Sequence, residues 1–141
     1  MKKCIFILLF LFLFIPSIFA ASYEIIAKDQ GSIMYNSDTT VSKSKGKYKF
    51  YYEVYEEMGI IRKTKIETLD TGEVIAQNVV YDIMSEPTSP VSVIYAVGRS
   101  DTQTYELLTM SPTFVMSSQS TGKYVVVSTS KVIEKKYIAK E

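Results

Sequence analysis

The side chains of this chain that could carry chemistry are carboxylates, lysines, tyrosines and serines, because it has no histidine and a single cysteine, Cys4. Acid–base catalysis would then require paired carboxylates, one with its pKa raised by apolar surroundings. The densest acidic cluster is Glu53, Glu56 and Glu57, and its position beside the turn residue Gly59 is typical of a solvated strand end. We therefore expect no catalytic residue and no enzyme. Without a Cys/His ligand set, we also expect no metal site and no cofactor.

Tyrosine is the residue type that most favours a binding role, since the chain contains 11 of them and no tryptophan. A tyrosine side chain has a flat apolar ring with a polar tip, which suits pockets and wet interfaces. Tyr48 and Tyr52 fall on the apolar face of an alternating segment, and Tyr95 and Tyr105 fall on the apolar faces of two later ones. We expect these rings to border a ligand cavity. The alternative is an ordinary core with cross-strand aromatic pairs.

Arg62 is one of only two arginines and is the charged member of the predicted site. Alternation places it on the less charged face of the segment 60–68, so we expect it to point inward. A buried arginine requires an anionic partner, either a protein carboxylate or a ligand; a place at the sheet rim is the alternative. The predicted ligand-binding residues are Tyr48, Tyr52, Arg62, Tyr95 and Tyr105. They suit a small hydrophobic or anionic ligand, for example one with an apolar body and an acidic group.

A run of alternate lysines precedes this site, at Lys43, Lys45, Lys47 and Lys49. If the strand extends back that far, all four share one face and could bind phosphate, anionic glycan or lipid headgroups. The alternative is a charged strand face that discourages edge pairing.

Residues 1–20 have the layout of a secretory signal peptide. Lys2 and Lys3 form a positive start, residues 5–15 are an unbroken apolar run, and Ala20 is a small residue at the cleavage position. The run is shorter than the roughly 20 apolar residues that span a bilayer. We expect cleavage after Ala20 and an exported chain, periplasmic or secreted, without a membrane span; an uncleaved anchor is the alternative. Loss of the two lysines changes the formal charge from +1 to −1, so no nucleic-acid partner is expected.

Residues 21–141 are predicted to form a single all-β domain. Apolar residues recur with period two, as at Tyr48, Phe50, Tyr52 and Val54, and turn signals such as Asp70-Thr71-Gly72 punctuate the chain. The pattern predicts an antiparallel meander of about eight to ten strands, either a small up-and-down barrel or a two-sheet β-sandwich. In size, leader and meander pattern the chain is similar to lipocalin-type barrels, although it lacks their Gly-x-Trp signature.

The alternating faces also predict the core and the turns. A turn is expected at Asp29-Gln30-Gly31 and another from Gly98 to Asp101, and residues 131–141 could be either a strand or a short helix. The expected buried residues are Tyr48, Phe50, Tyr52, Val54, Val93, Tyr95, Val97, Leu107, Val125 and Val127.

These expectations leave two functional hypotheses. The leading one is an exported, non-enzymatic binding module with a ligand inside the barrel. The alternative is a module that acts on an extracytoplasmic protein partner through its surface, such as an inhibitor or an envelope-assembly factor. A cavity lined by tyrosines would favour the first, and a filled core with an apolar exterior patch would favour the second.

Overall fold

The computed structural model describes residues 22–84, 93–99, 105–121 and 123–138. The predicted leader and its cleavage site at Ala20 lie outside these residues. Nine strands and one 3-10 turn, Glu56–Met58, are described. The strands are β1 (Ser22–Asn36), β2 (Val41–Lys45), β3 (Tyr48–Tyr55), β4 (Ile60–Thr68), β5 (Val74–Ile83), β6 (Ile94–Arg99), β7 (Tyr105–Met110), β8 (Phe114–Thr121) and β9 (Tyr124–Tyr137).

Eight of these strands close into a barrel in the order β1–β3–β4–β5–β6–β7–β8–β9, since β9 also pairs with β1. Each described pairing is antiparallel. The additional strand, β2, pairs with the second half of β1, beyond the part that pairs with β3. The predicted all-β meander is confirmed, and the architecture is the up-and-down barrel.

β1 continues through the segment at which the sequence predicted a turn, Asp29-Gln30-Gly31, and that prediction is wrong. The chain forms a β-bulge there instead, where the partner of β1 changes from β3 to β2. The Asp29 carboxylate stabilises the bulge by accepting hydrogen bonds from the backbone N–H groups of Gly31, at 2.8 Å, and Lys47, at 3.0 Å. A Cβ at Gly46 would lie 2.1 Å from the Asp29 carbonyl oxygen, so glycine is required where the two backbones meet.

β9 resolves the choice left open for the C-terminal segment. It runs as a strand to Tyr137 and pairs with β1 from Tyr23 to Asn36. This pairing closes the barrel, and residues 131–137 are a strand rather than a helix. The length of β9 follows from that of β1, because each strand supplies the backbone partners that the other needs.

Apolar side chains fill one half of the barrel, which we call the packed half. Its buried residues are Tyr23, Ile25, Ala27, Tyr52, Val54, Ile61, Tyr81, Ile94, Ala96, Leu108, Met110 and Val115. The predicted burial is confirmed for Tyr52 and Val54, and Phe50 is partly buried against them. Tyr48, in contrast, is exposed.

On β6 and β7 the expected buried face is the outer one, so that prediction is wrong. Tyr95 is 53% exposed and Leu107 is 56% exposed, whereas Ile94, Ala96 and Leu108 face the core. Both faces of these strands carry apolar residues, and alternation alone therefore does not identify the inner one. The expected burial also fails for Val125, which is exposed, and Val93, Val97 and Val127 are only partly buried.

Candidate functional site

The other half of the barrel, which we call the open half, contains a cavity of about 470 Å³. It is lined by residues of β3, β4, β7, β8 and β9, and the bulge of β1 and the strand β2 border it. Small eight-stranded barrels are either filled by side chains or left with room for one small ligand. In this barrel, side chains fill the packed half, and the open half has room for a small ligand.

One wall of the cavity is aromatic. Tyr48, Phe50 and Tyr52 are alternate residues of β3, so their side chains point to the same side of the strand. Adjacent ring centroids are 6.1 Å and 6.3 Å apart, with interplanar angles of 49° and 40°. Exposure falls from 38% at Tyr48 to 2% at Tyr52. The three rings thus form a stepped surface from the mouth of the cavity to its floor.

A second wall is polar and comes from β8 and β9. Ser117 and Gln119 are alternate residues of β8, and Ser128 is the partner of Ser117 on β9. Within the described ranges, these three side chains make no hydrogen bond to another described residue. Near the mouth, the hydroxyls of Ser32 and Ser44 lie 2.7 Å apart and hydrogen-bond to each other. The wall therefore offers hydroxyl and amide groups that can still donate and accept.

The floor of the cavity contains a buried ion pair. The Lys63 ammonium on β4 lies 3.2 Å and 3.0 Å from the two carboxylate oxygens of Glu106 on β7, and both residues are 6% exposed. The Tyr81 hydroxyl donates a third hydrogen bond to Glu106, at 2.8 Å. Such a pair is tolerated only when its charges are matched and hydrogen-bonded, and this one meets that condition.

Gly98 makes room for the third member of this network. A Cβ there would lie 2.6 Å from Cδ1 of the Tyr81 ring, so the ring packs directly on the glycine. The sequence predicted a turn starting at Gly98, but the residue lies within β6 and pairs with Tyr81. Burial, and next the charge of Glu106, raise the pKa of the Tyr81 hydroxyl far above its usual value. Tyr81 consequently remains a proton donor throughout the physiological range.

Tyr52 has a similar electrostatic environment, since burial first and Glu106 second raise its pKa well above the usual value. Both hydroxyls at the floor are therefore neutral, and the formal charges there are those of Lys63 and Glu106. These two charges balance, so the floor has no net charge when the pair is intact.

The predicted inward position of Arg62 is wrong. Arg62 is exposed on the outer face, where its guanidinium lies 5.8 Å from the centroid of the Tyr55 ring. Its neighbour Lys63 points inward instead, and its charge is balanced by a residue 43 positions away. Alternation within one strand cannot reveal such a partner, so it predicts that the more charged face of β4, which carries Lys63, is exposed to solvent.

The structure brings together only two of the five predicted site residues. Tyr48 and Tyr52 line the cavity, whereas Tyr95 and Tyr105 are exposed on the outer face, as is Arg62. Ligand binding by any of them stays a prediction.

Sequence reasoning missed Lys63, Glu106 and the serine-rich wall. Glu106 alternates with Leu108 and Met110, and this pattern could have identified its inward face. It was obscured because Tyr105 and Leu107 make the other face equally apolar.

The four alternate lysines do not share one face. Lys45 and Lys47 border the cavity and are exposed. Lys49 lies 2.8 Å from Glu67 in a partly exposed salt bridge, and the hydrogen bonds from Lys49 and then Tyr51 lower the pKa of the Glu67 carboxyl. β2 ends at Lys45 and β3 begins at Tyr48, so the strand does not extend through the run and the condition for one continuous cationic face is not met.

No protein-family model, curated protein or solved structure matches this chain. In the described ranges there is no helix with the length and apolar character needed to cross a bilayer, and those same residues include no group of three or more acidic, histidine or cysteine side chains placed to hold a metal ion. The cavity is consequently the basis for a functional argument.

Proposed function

We propose that this protein is an exported, non-enzymatic β-barrel that binds a small amphipathic ligand in its cavity. The observation that carries the proposal is the contrast between the two walls, since the same cavity is lined by aromatic rings of β3 and by polar groups of β8 and β9 that have no hydrogen-bond partner among the described residues. The volume of about 470 Å³ lies within the roughly 300–1,000 Å³ of small-molecule sites. The leader at residues 1–20 supports export.

The polar wall is hard to explain as packing alone. Placing Ser117 and Gln119 toward the barrel interior without partners would cost free energy in a filled core. Facing a cavity, the same groups are available to water or to a ligand. Their position next to an aromatic wall therefore supports binding more than it supports an imperfect core.

The carboxylates that line the cavity support a binding role over catalysis. Glu106 is engaged by Lys63 and Tyr81. Asp29 accepts two backbone hydrogen bonds at the bulge. Both acids thus have structural partners, whereas a general acid or base must reach a substrate proton.

Two adjacent serines provide a matched test. Ser117 faces the cavity, and Ser118 faces outward opposite the exposed Leu107. We expect native mass spectrometry of the mature protein, purified from its own host, to show a bound small molecule in the wild type and in Ser118→Phe but not in Ser117→Phe. Equal retention by Ser117→Phe would contradict binding in the cavity.

The surface-acting alternative has its own supporting observation. Tyr95 on β6 and Leu107 on β7 are exposed apolar residues of neighbouring strands. Val97, two residues after Tyr95 on the same face of β6, pairs with Leu107 and makes the apolar surface continuous. If this outer face binds a protein, Leu107→Lys should prevent cross-linking of that partner in the native host, whereas Ile133→Lys on β9, also an exposed apolar position, should not. Both variants should retain the cavity ligand.

A further inference from the structure

We infer that the ligand of the open half is a saccharide of one or two rings, an inference that rests on the proposed binding function. A sugar ring is amphipathic in a particular way, because its C–H groups can lie on one face while hydroxyls project from its edge. The two walls of the cavity match these two chemistries.

The aromatic wall suits the C–H face of a sugar ring. The faces of aromatic rings carry the negative part of their quadrupole and attract weakly positive C–H groups. Tyr48 and Phe50 offer two such rings 6.1 Å apart, and the buried Tyr52 continues the row 6.3 Å further, at the floor. A stepped surface of this kind can hold one or two rings, and it gives an alkyl chain no matching polar contact.

The polar wall suits the hydroxyl edge. A hydroxyl both donates and accepts, as do the serine hydroxyls and, through its two ends, the glutamine amide. Ser117, Gln119 and Ser128 retain this double capacity, since they make no side-chain hydrogen bond to another described residue. An alkyl ligand would leave these groups unsatisfied at a cost, whereas sugar hydroxyls would satisfy donors and acceptors together.

The floor disfavours an anion as the ligand. Among the described residues, Lys63 is the buried cation at the cavity, and Glu106 already neutralises it with two contacts. The remaining lysines at the cavity, Lys45 and Lys47, are exposed at its mouth. A neutral hydroxyl can instead bond to both members of the ion pair, and hydrogen bonds to charged groups are among the stronger ones.

The test is saturation-transfer difference NMR and isothermal titration calorimetry on the mature barrel. The saccharide panel contains hexoses, N-acetylhexosamines and their disaccharides, and decanoate and inorganic phosphate represent the alkyl and anionic classes. We expect at least one saccharide to bind, with saturation concentrated on the C–H protons of one ring face. Decanoate and phosphate should not displace it.

Variants of the aromatic wall add a second readout. Tyr48 is exposed, so its replacement should leave the fold intact, which circular dichroism can verify. Tyr48→Leu should weaken saccharide binding by up to about tenfold through loss of the aromatic face, whereas Tyr48→Phe should retain most of the affinity. Equal affinities of the two variants would overturn the stacking role.

The outcomes separate this inference from the proposed function. If no saccharide binds but decanoate or phosphate binds in a manner abolished by Ser117→Phe and not by Ser118→Phe, the saccharide assignment is overturned and the binding function survives. If no probe shows binding sensitive to Ser117→Phe, the saccharide assignment is overturned and cavity binding loses its support.

Discussion

The orientations of the single residues Arg62 and Lys63 determine which positive charge lies inside the barrel. These neighbouring cations point to opposite sides of β4, and each has its own environment. Lys63 is buried and paired with Glu106, whereas Arg62 lies over Tyr55 on the outer surface. Two positively charged residues in succession therefore contribute very differently to stability, because one is removed from water and the other is not.

Replacing Lys63 tests this difference directly. Lys63→Met leaves the buried Glu106 carboxylate without its cation and should lower the free energy of unfolding by about 3–5 kcal/mol. Arg62→Met, the matched control, should lower it by less than about 1 kcal/mol because an exposed cation–π contact contributes little. Urea denaturation followed by circular dichroism measures both.

A double variant completes this test. In Lys63→Met/Glu106→Gln neither charge is left unpaired, so we expect part of the lost stability to return. A single Lys63→Met variant as stable as the wild type would contradict the buried pair.

At the scale of elements, the β1 bulge determines where the barrel ends and where the extra strand begins. β1 pairs with β3 before the bulge and with β2 after it, while β9 accompanies it along its whole length. The Asp29 carboxylate and the close approach of Gly46 hold the crossing point. The β1 bulge and Gly46 thus fix the positions of the strands that border the mouth of the cavity.

Gly46→Ala should release β2 from β1. The added Cβ would meet the Asp29 carbonyl, a backbone atom that cannot rotate away. We expect the amides of Val41–Lys45 to exchange with solvent at least about tenfold faster by NMR, since local opening would require less free energy. Lys47→Ala, at an exposed neighbouring position, should leave these exchange rates within about twofold of the wild type. Unchanged protection in Gly46→Ala would show that the crossing tolerates a side chain.

At the scale of the whole molecule, the barrel divides into a packed half that stabilises the fold and an open half that could hold a ligand. The packed half contains the largest fully buried side chains, among them Tyr81, Ile61 and Leu108. The open half carries polar side chains around space. Stability and binding should consequently respond to different substitutions.

Leu108→Ala and Gln119→Ala compare the two halves. The first removes a fully buried side chain and should lower the free energy of unfolding by about 2–5 kcal/mol. The second should change it by less than about 1 kcal/mol, since the amide faces the cavity without a described partner. Thermal and urea unfolding measure both effects. A large loss of stability in Gln119→Ala would mean that the polar wall is part of the core.

Export is also a property of the whole molecule. The leader arrangement at residues 1–20 predicts that the mature protein begins at Ala21, or within two residues of it. Intact mass spectrometry of the protein from its native host should therefore lack the leader. A full-length species in the membrane fraction as the main form would contradict this prediction.

The all-β class, the approximate number of strands and the inward face of β3 could all be predicted from the sequence. Alternation at Tyr48, Phe50, Tyr52 and Val54 was sufficient there because the two faces of β3 differ clearly in polarity. The same periodicity failed on β6 and β7, where both faces are apolar. The turn predicted at Asp29-Gln30-Gly31 was wrong for another reason, since these residue types suit a turn but the backbone there forms a bulge and remains paired with β9.

The candidate site depends on contacts between strands that are distant in sequence. Lys63 and Glu106 lie 43 residues apart, and Tyr81 reaches Glu106 only because Gly98 leaves space for its ring. Each of these residues reads locally as a solvent-exposed charge, a strand aromatic or a turn glycine. Their shared role arises from barrel closure, which places strands distant in sequence around one interior and makes a buried charge depend on a partner from another strand.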